Sequence, residues 1–193
     1  MAEVVLFHHV QGLTSGVVAF ADELRAVGHT VHTPDLFDGR TFASLEEGSR
    51  YVEQIGFGEV TARGVRAAGP LPDDVVYAGF SLGVLPAQKL AQTRAGARGA
   101  LLVHACIPVS EFGPAWPGKV PVQVHAMEDD PFFTEDVDAA RALVAGHPGA
   151  ELFLYPGDQH LFTDRSLPSY DPAAAKLLTQ RAIDFLGPVE GRR

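Results

Sequence analysis

Short apolar runs recur along the chain, separated by longer segments in which apolar residues return every third or fourth position. The runs lie at Glu3 to His9, where Val4-Val5-Leu6-Phe7 is continuous, and at Thr30 to Pro34, Val75 to Ala78, Gly99 to Ile107, Val120 to Ala126 and Ala150 to Tyr155. A run that is apolar at successive positions suits a strand covered on both sides, as in a parallel sheet. The intervening segments predict helices. Val17 to Val27 puts Phe20, Leu24 and Val27 on one face and meets a C-terminal cap at Gly28. Ser44-Leu45-Glu46-Glu47 is a capping box, so a helix starts there, reaches the glycines around Gly56 and resumes toward Ala68. Leu82 to Gln92 and Thr134 to Ala145 follow the helical period, the second with Val137, Ala140, Leu143 and Val144 on one side. Asp171-Pro172 opens a last helix, Leu177, Leu178, Ile183 and Leu186 form its apolar stripe, and Gly187-Pro188 is its expected stop.

Strands and helices in this alternation predict a mostly parallel central sheet of about six or more strands, with helices on both faces. No repeat or linker interrupts it, so residues 1–193 are expected to form a single domain. Every strand then leaves the sheet at one edge, where such folds place their ligands.

One exit has a special form. Val75-Val76-Tyr77-Ala78 runs into Gly79-Phe80-Ser81-Leu82-Gly83 and then into a helical segment. A GxSxG string alone is weak, but between a buried strand and a helix it is the pattern of a nucleophile elbow. The turn lifts the serine hydroxyl above the sheet and is too tight for side chains two residues either side, hence Gly79 and Gly83. The same turn brings the Leu82 N–H beside the serine, where it can stabilise an oxyanion. Two later exits carry an acid and a histidine, the Asp129-Asp130 pair and His160. Serine, acid, histidine is the triad order of α/β-hydrolases and differs from the order in other serine hydrolases. The histidine would take the serine proton during attack on a carbonyl, and the acid would fix its tautomer.

Charge and composition narrow the partners. The net charge of −9 argues against nucleic acid and anionic membranes, leaving a small molecule as the expected substrate. The eight histidines suggest metal, but no HExxH or CxxC spacing occurs and His8 and His9 are neighbours on a strand, so neither a metal nor another cofactor is expected. Cys106, the single cysteine, lies in an apolar run and is read as a buried, inert thiol. His104 and His125 fall within strand runs and are read as satisfied core histidines, with strand ends near enough to the site to tune a pocket. Met1 to Val5 lacks a positive region and no apolar stretch is long enough to span a bilayer, which predicts a cytoplasmic protein, monomeric or a small homo-oligomer. Pro108 to Pro117 either lines a pocket with Phe112 and Trp116 or covers the core.

The segments Phe7-His8-His9-Val10-Gln11-Gly12-Leu13, Thr33-Pro34-Asp35-Leu36-Phe37, Ala78 to Gly83, His125 to Phe132 and Tyr155 to Phe162 together resemble the dienelactone hydrolase family of α/β-hydrolases, over nearly the whole chain. The resemblance implies an ester or lactone hydrolase using Ser81, His160 and, by the family spacing, Asp130 in preference to Asp129. It implies that the Val10 N–H joins that of Leu82 as oxyanion donor, and His9, Gln11, Phe80 and Trp116 are candidate pocket residues. Three positions depart from the family's best-known members: Ser81 replaces a cysteine, His9 stands where they have a glutamate, and Asp164 where they have a carboxylate-binding arginine. A serine needs fuller help from a general base than a thiol does. A thioesterase is the nearest variant, and a non-catalytic ligand-binding module is the rival from another class, favoured by the carboxylates Glu128, Asp129, Asp158 and Asp164 at the expected pocket edge.

Overall fold

The apolar runs form the strands of one parallel sheet in the order β2-β1-β3-β4-β5-β6. The computed structural model describes residues 1–189. The strands are β1 (Glu3–Phe7), β2 (Thr30–His32), β3 (Val76–Phe80), β4 (Gly99–Val103), β5 (Val122–Met127) and β6 (Ala150–Tyr155). The helices are α1 (Ser15–Ala26), α2 (Leu45–Ile55), α3 (Phe57–Ala68), α4 (Val84–Thr93), α5 (Pro131–Gly146) and α6 (Pro172–Val189). This is the α/β-hydrolase arrangement.

Alternate residues of each central strand supply two cores. Val4 and Leu6 pack with Val17, Phe20 and Leu24 of α1 and Leu178 and Leu186 of α6. Val5 and Phe7 face the opposite way, toward Val52 of α2, Val60 of α3, Val84 and Leu90 of α4 and Phe133 of α5. Strand order reverses between β1 and β3, so the loops leaving their carboxyl ends diverge and open a crevice there.

Several boundaries differ from the sequence expectation, each for a local reason. β1 stops at Phe7, before His8 and His9, because the chain turns there: the Gly12 N–H donates to the His9 carbonyl. β4 stops at Val103 rather than Ile107, because His104 takes a left-handed backbone with φ 69°. The helix after the elbow starts as a short 3-10 turn over Ser81–Gly83 before α4. Helix α6 continues through Gly187 and Pro188 to Val189. Gly187, having no Cβ, carries less of the restriction that a residue before proline ordinarily faces in a helix. The buried stripe of α6 is Ala175, Leu178, Ala182 and Leu186, while Leu177 is exposed. Val27 and Val144 are also exposed, Val27 because α1 ends at Ala26.

Candidate active site

The elbow is a place where backbone touches backbone. A Cβ on Gly79 would stand 2.3 Å from the Gly83 carbonyl oxygen, and one on Gly83 would stand 2.3 Å from the Phe7 oxygen and 2.7 Å from that of His8. Ser81 is held at φ 49°, a costly conformation for a residue with a side chain. Half-buried, it keeps its hydroxyl within reach of solvent, and Leu82 follows at the start of a helix, where N–H groups have no intrahelical partner. Gly83→Ala should therefore destabilise at or beyond the upper end of the range for overpacking, about 1–3 kcal/mol. Urea unfolding of the variant checks this, and a midpoint unchanged from the native protein would contradict it.

Ser81 Oγ lies 2.9 Å from His160 Nε2, and His160 Nδ1 lies 2.7 Å from Asp130 Oδ2. A carboxylate only accepts, so Nδ1 carries the ring proton and Nε2 presents its lone pair to the serine hydroxyl. Asp130 is fully buried and N-caps α5, its Oδ1 accepting from the Phe132 N–H at 2.9 Å. The cap, followed by Pro131 at the first helical position, fixes the carboxylate before the histidine arrives. Asp129 is exposed and its N–H donates to the Gly157 carbonyl, so of the two neighbouring acids only Asp130 contacts the histidine.

Two aromatic side chains stand beside His160, one of them, Phe132, given no site role by the sequence. The Phe132 ring, largely exposed, packs at 4.6 Å from the His160 ring. His104 sits on the other strand exit, 5.5 Å from His160, with Nε2 bonded to Thr163 Oγ1 at 2.9 Å. Its place follows from the sheet: His160 leaves the outer strand β6 and reaches back toward β3, so the exit of β4 lies beneath it. His104 is not the satisfied core histidine expected, because Nδ1 has no partner. Burial, reinforced by the nearby histidines, holds its pKa well below the ordinary value. His125 does fit that description, with Tyr155 Oη at 2.9 Å and Gln123 Oε1 at 3.2 Å, and burial lowers its pKa to about 3.

The loop leaving β1 is held by its own side chains. His8 Nε2 accepts from the Leu36 N–H, and its Nδ1 donates to the His9 carbonyl; burial lowers its pKa to about 4. His9 Nδ1 accepts from the Gln11 N–H at 3.2 Å, leaving the proton on Nε2, which donates to Asp164 Oδ2 at 2.8 Å. Asp164 also accepts from Thr14 Oγ1 and from the Ser166 N–H and hydroxyl. Burial opposes its charge, but these donors outweigh burial and bring its pKa down to about 2. Val10, between His9 and Gln11, is 8% exposed, and the α2 residue Gly48 is packed so tightly on its carbonyl that a Cβ would approach to 2.2 Å.

These contacts correct the expected pocket. His9 and Gln11 are buried, and Gln11 is occupied with the Phe42 carbonyl, so both tie the loop together and do not line an open pocket. The Phe80 ring lies in the core against Phe20 at 5.0 Å. Trp116 packs near His147, and its indole N–H donates to the Val120 carbonyl, ahead of β5 and thus at the sheet edge opposite Ser81. Asp164, 2% exposed, is no part of an acidic rim. Cys106 is buried beyond the end of β4, and burial raises its thiol pKa to about 12. Among the described residues no group of three or more His, Cys, Asp or Glu side chains could hold a metal ion, and no helix is long and apolar enough to cross a membrane.

A profile of the dienelactone hydrolase family matches residues 1–190. The chain belongs to the dienelactone hydrolase family. No curated protein matches it. Among solved structures, a dienelactone hydrolase-like promiscuous phosphotriesterase from metagenomic libraries is 20% identical, with a TM-score of 0.70 over 98% of this chain and 87% of the other. A dienelactone hydrolase from Anabaena variabilis is also 20% identical, with a TM-score of 0.66 over 95% and 84%. Mouse alpha/beta hydrolase domain-containing protein 10 is 13% identical, with a TM-score of 0.71 over 97% and 90%. Likeness at these identities shows a common fold. With the family match, it makes the chain a hydrolase of the α/β class.

Proposed function

We propose that this family member is a serine hydrolase that cleaves a small carboxylic ester or lactone through an acyl-enzyme on Ser81. The observation that carries the reading is the unbroken line from Ser81 Oγ through His160 to Asp130 at an elbow whose backbone contacts leave room only for glycine at positions 79 and 83. His160 Nε2 takes the hydroxyl proton as Oγ attacks the carbonyl carbon, and the Leu82 and Val10 N–H groups receive the oxyanion. Collapse breaks the bond to the leaving alkoxide, which takes the proton from His160. Water then attacks the acyl-enzyme by the same route and frees the acid and Ser81. Asp130 holds the imidazole tautomer and faces the imidazolium while it exists. The proposed setting is the cytoplasm, with the chain acting as a monomer or small oligomer.

A ligand-binding module loses support here, because Asp164 leaves the acidic edge and an activated serine has no role in mere binding. The test is intact-protein mass after incubation with a fluorophosphonate. One adduct is expected on the native protein and none on Ser81→Ala, and an unmodified native protein would overturn the reading. Esters, lactones, thioesters and, given the neighbour from metagenomic libraries, a phosphotriester form the substrate panel that follows.

A further inference from the structure

The geometry points to Asp164 as a positioning residue that locks the proposed oxyanion donor Val10 to the loop carrying His160, acting through a neutral His9. The inference rests on the serine-hydrolase reading. Of the proposed oxyanion donors, Leu82 belongs to the elbow itself and moves with Ser81. Val10 does not. It stands on a loop three residues beyond the end of β1, and no sheet bond holds it.

Gln11 and Gly12 tie the far side of that loop to Phe42 and Thr41, and the bonds on the near side converge on His9. Its carbonyl accepts from the Gly12 N–H and from His8 Nδ1, its Nδ1 accepts from the Gln11 N–H, and its Nε2–H goes to Asp164. Every donor and acceptor on the imidazole is thereby assigned, and the ring is neutral by geometry. Asp164 lies only four residues after His160, in a loop folded on itself: the Asp164 N–H donates to the Leu161 carbonyl and the Leu167 N–H to the Asp164 carbonyl. Its carboxylate also grips Thr14, the N-cap of α1, and stands so close to Gly16 that a Cβ there would fall 1.6 Å from Oδ1. One buried carboxylate thus joins the loop after β1, the start of α1 and the loop after His160. The attacking hydroxyl, the base and the oxyanion donor come from separate strands, and transition-state stabilisation depends on their relative placement to a fraction of an ångström. The pair also unites two of the three positions, 9 and 164, where the chain departs from the family's best-known members.

The test compares kcat per active site, titrated with a fluorophosphonate, in Asp164→Asn, His9→Phe and the double variant. An asparagine keeps one acceptor oxygen where the carboxylate had two, so its amide N–H groups face either the His9 and Thr14 donors or the Ser166 donors, and the lock is weakened without loss of volume. Each single variant should lose about 10- to 100-fold in kcat with KM nearly unchanged, and the double should lose no more than the worse single. His9→Gln, which retains a donor for Asp164, should recover most of the loss. Affinity for a boronic acid that mimics the tetrahedral intermediate should fall in step with kcat/KM. A purely structural role would lower the melting temperature and leave kcat per titrated site intact, and that result, or losses that multiply in the double variant, would overturn the inference. If Asp164→Asn does not fold, His9→Phe decides alone, since it leaves the Thr14 and Ser166 contacts in place. Native protein that takes no fluorophosphonate defeats the serine-hydrolase reading instead.

Discussion

Ser81→Ala is expected to lower kcat by about 10⁴- to 10⁶-fold on whichever ester the native protein accepts, with KM little changed. Asp130→Asn is the more informative companion. In the native protein one oxygen of Asp130 caps α5 and the other accepts from His160. An asparagine keeps the cap by placing its oxygen toward the Phe132 N–H, but its amide then donates toward His160 Nδ1. That forces the ring proton onto Nε2, facing Ser81, where the base is needed. The expected loss is about 10⁴-fold in kcat with a nearly native melting temperature. Asp130→Ala removes the cap as well and adds roughly 1 kcal/mol of destabilisation. Kinetics on titrated sites together with thermal unfolding separate the two effects. Asp130→Asn within tenfold of native would show that Asp130 is a helix cap and nothing more.

Stability should fall steeply below neutral pH. His8, His104 and His125 are buried and neutral, with pKa values lowered chiefly by burial, to about 4 for His8, to about 3 for His125 and well below the ordinary value for His104. The unfolded chain takes up three protons near pH 6.5 that the folded chain refuses, so stability is present above that pH and is lost as pH falls. At pH 5 each histidine contributes a loss of about 2 kcal/mol, or roughly 6 kcal/mol in all relative to pH 7. That is comparable to the whole stability of many domains, about 5–15 kcal/mol. The Asp164 carboxylate, with its pKa lowered to about 2, adds a further loss only below about pH 4. Urea unfolding at pH 7, 6 and 5 measures the slope. A flat profile would mean that these rings accept protons in the folded state.

The sheet and the hydrogen-bonded line of Ser81, His160 and Asp130 were legible because their signals are local. Six apolar runs, a GxSxG elbow and the order of exits are each written in a few consecutive residues, and together they place Ser81, Asp130 and His160 on one edge. The His9–Asp164 contact spans 155 positions and has no local signal; each residue alone resembles a loop polar group. Trp116 was misplaced because an aromatic residue in a proline-rich loop reads the same at either end of a sheet. The nearness of His104 to the site was legible from its strand end, but its unpartnered Nδ1 was not, because the sequence of a strand does not reveal where a left-handed backbone will end it. Leu177 and Gly187-Pro188 show the remaining gap: an apolar residue need not face the core, and a helix-breaking pair breaks only where its sterics are unrelieved.

The close approach of Gly83 to the carbonyls of Phe7 and His8 has a consequence for how this protein could be evolved. The turn carrying Ser81 and the exit of β1 are in direct backbone contact, so neither can shift without the other. Libraries that randomise residues 79–83 or 7–12 in search of new specificity would return mostly unfolded chains. Productive variation lies at positions such as the exposed Phe132, which packs on the His160 ring and lies outside the seam.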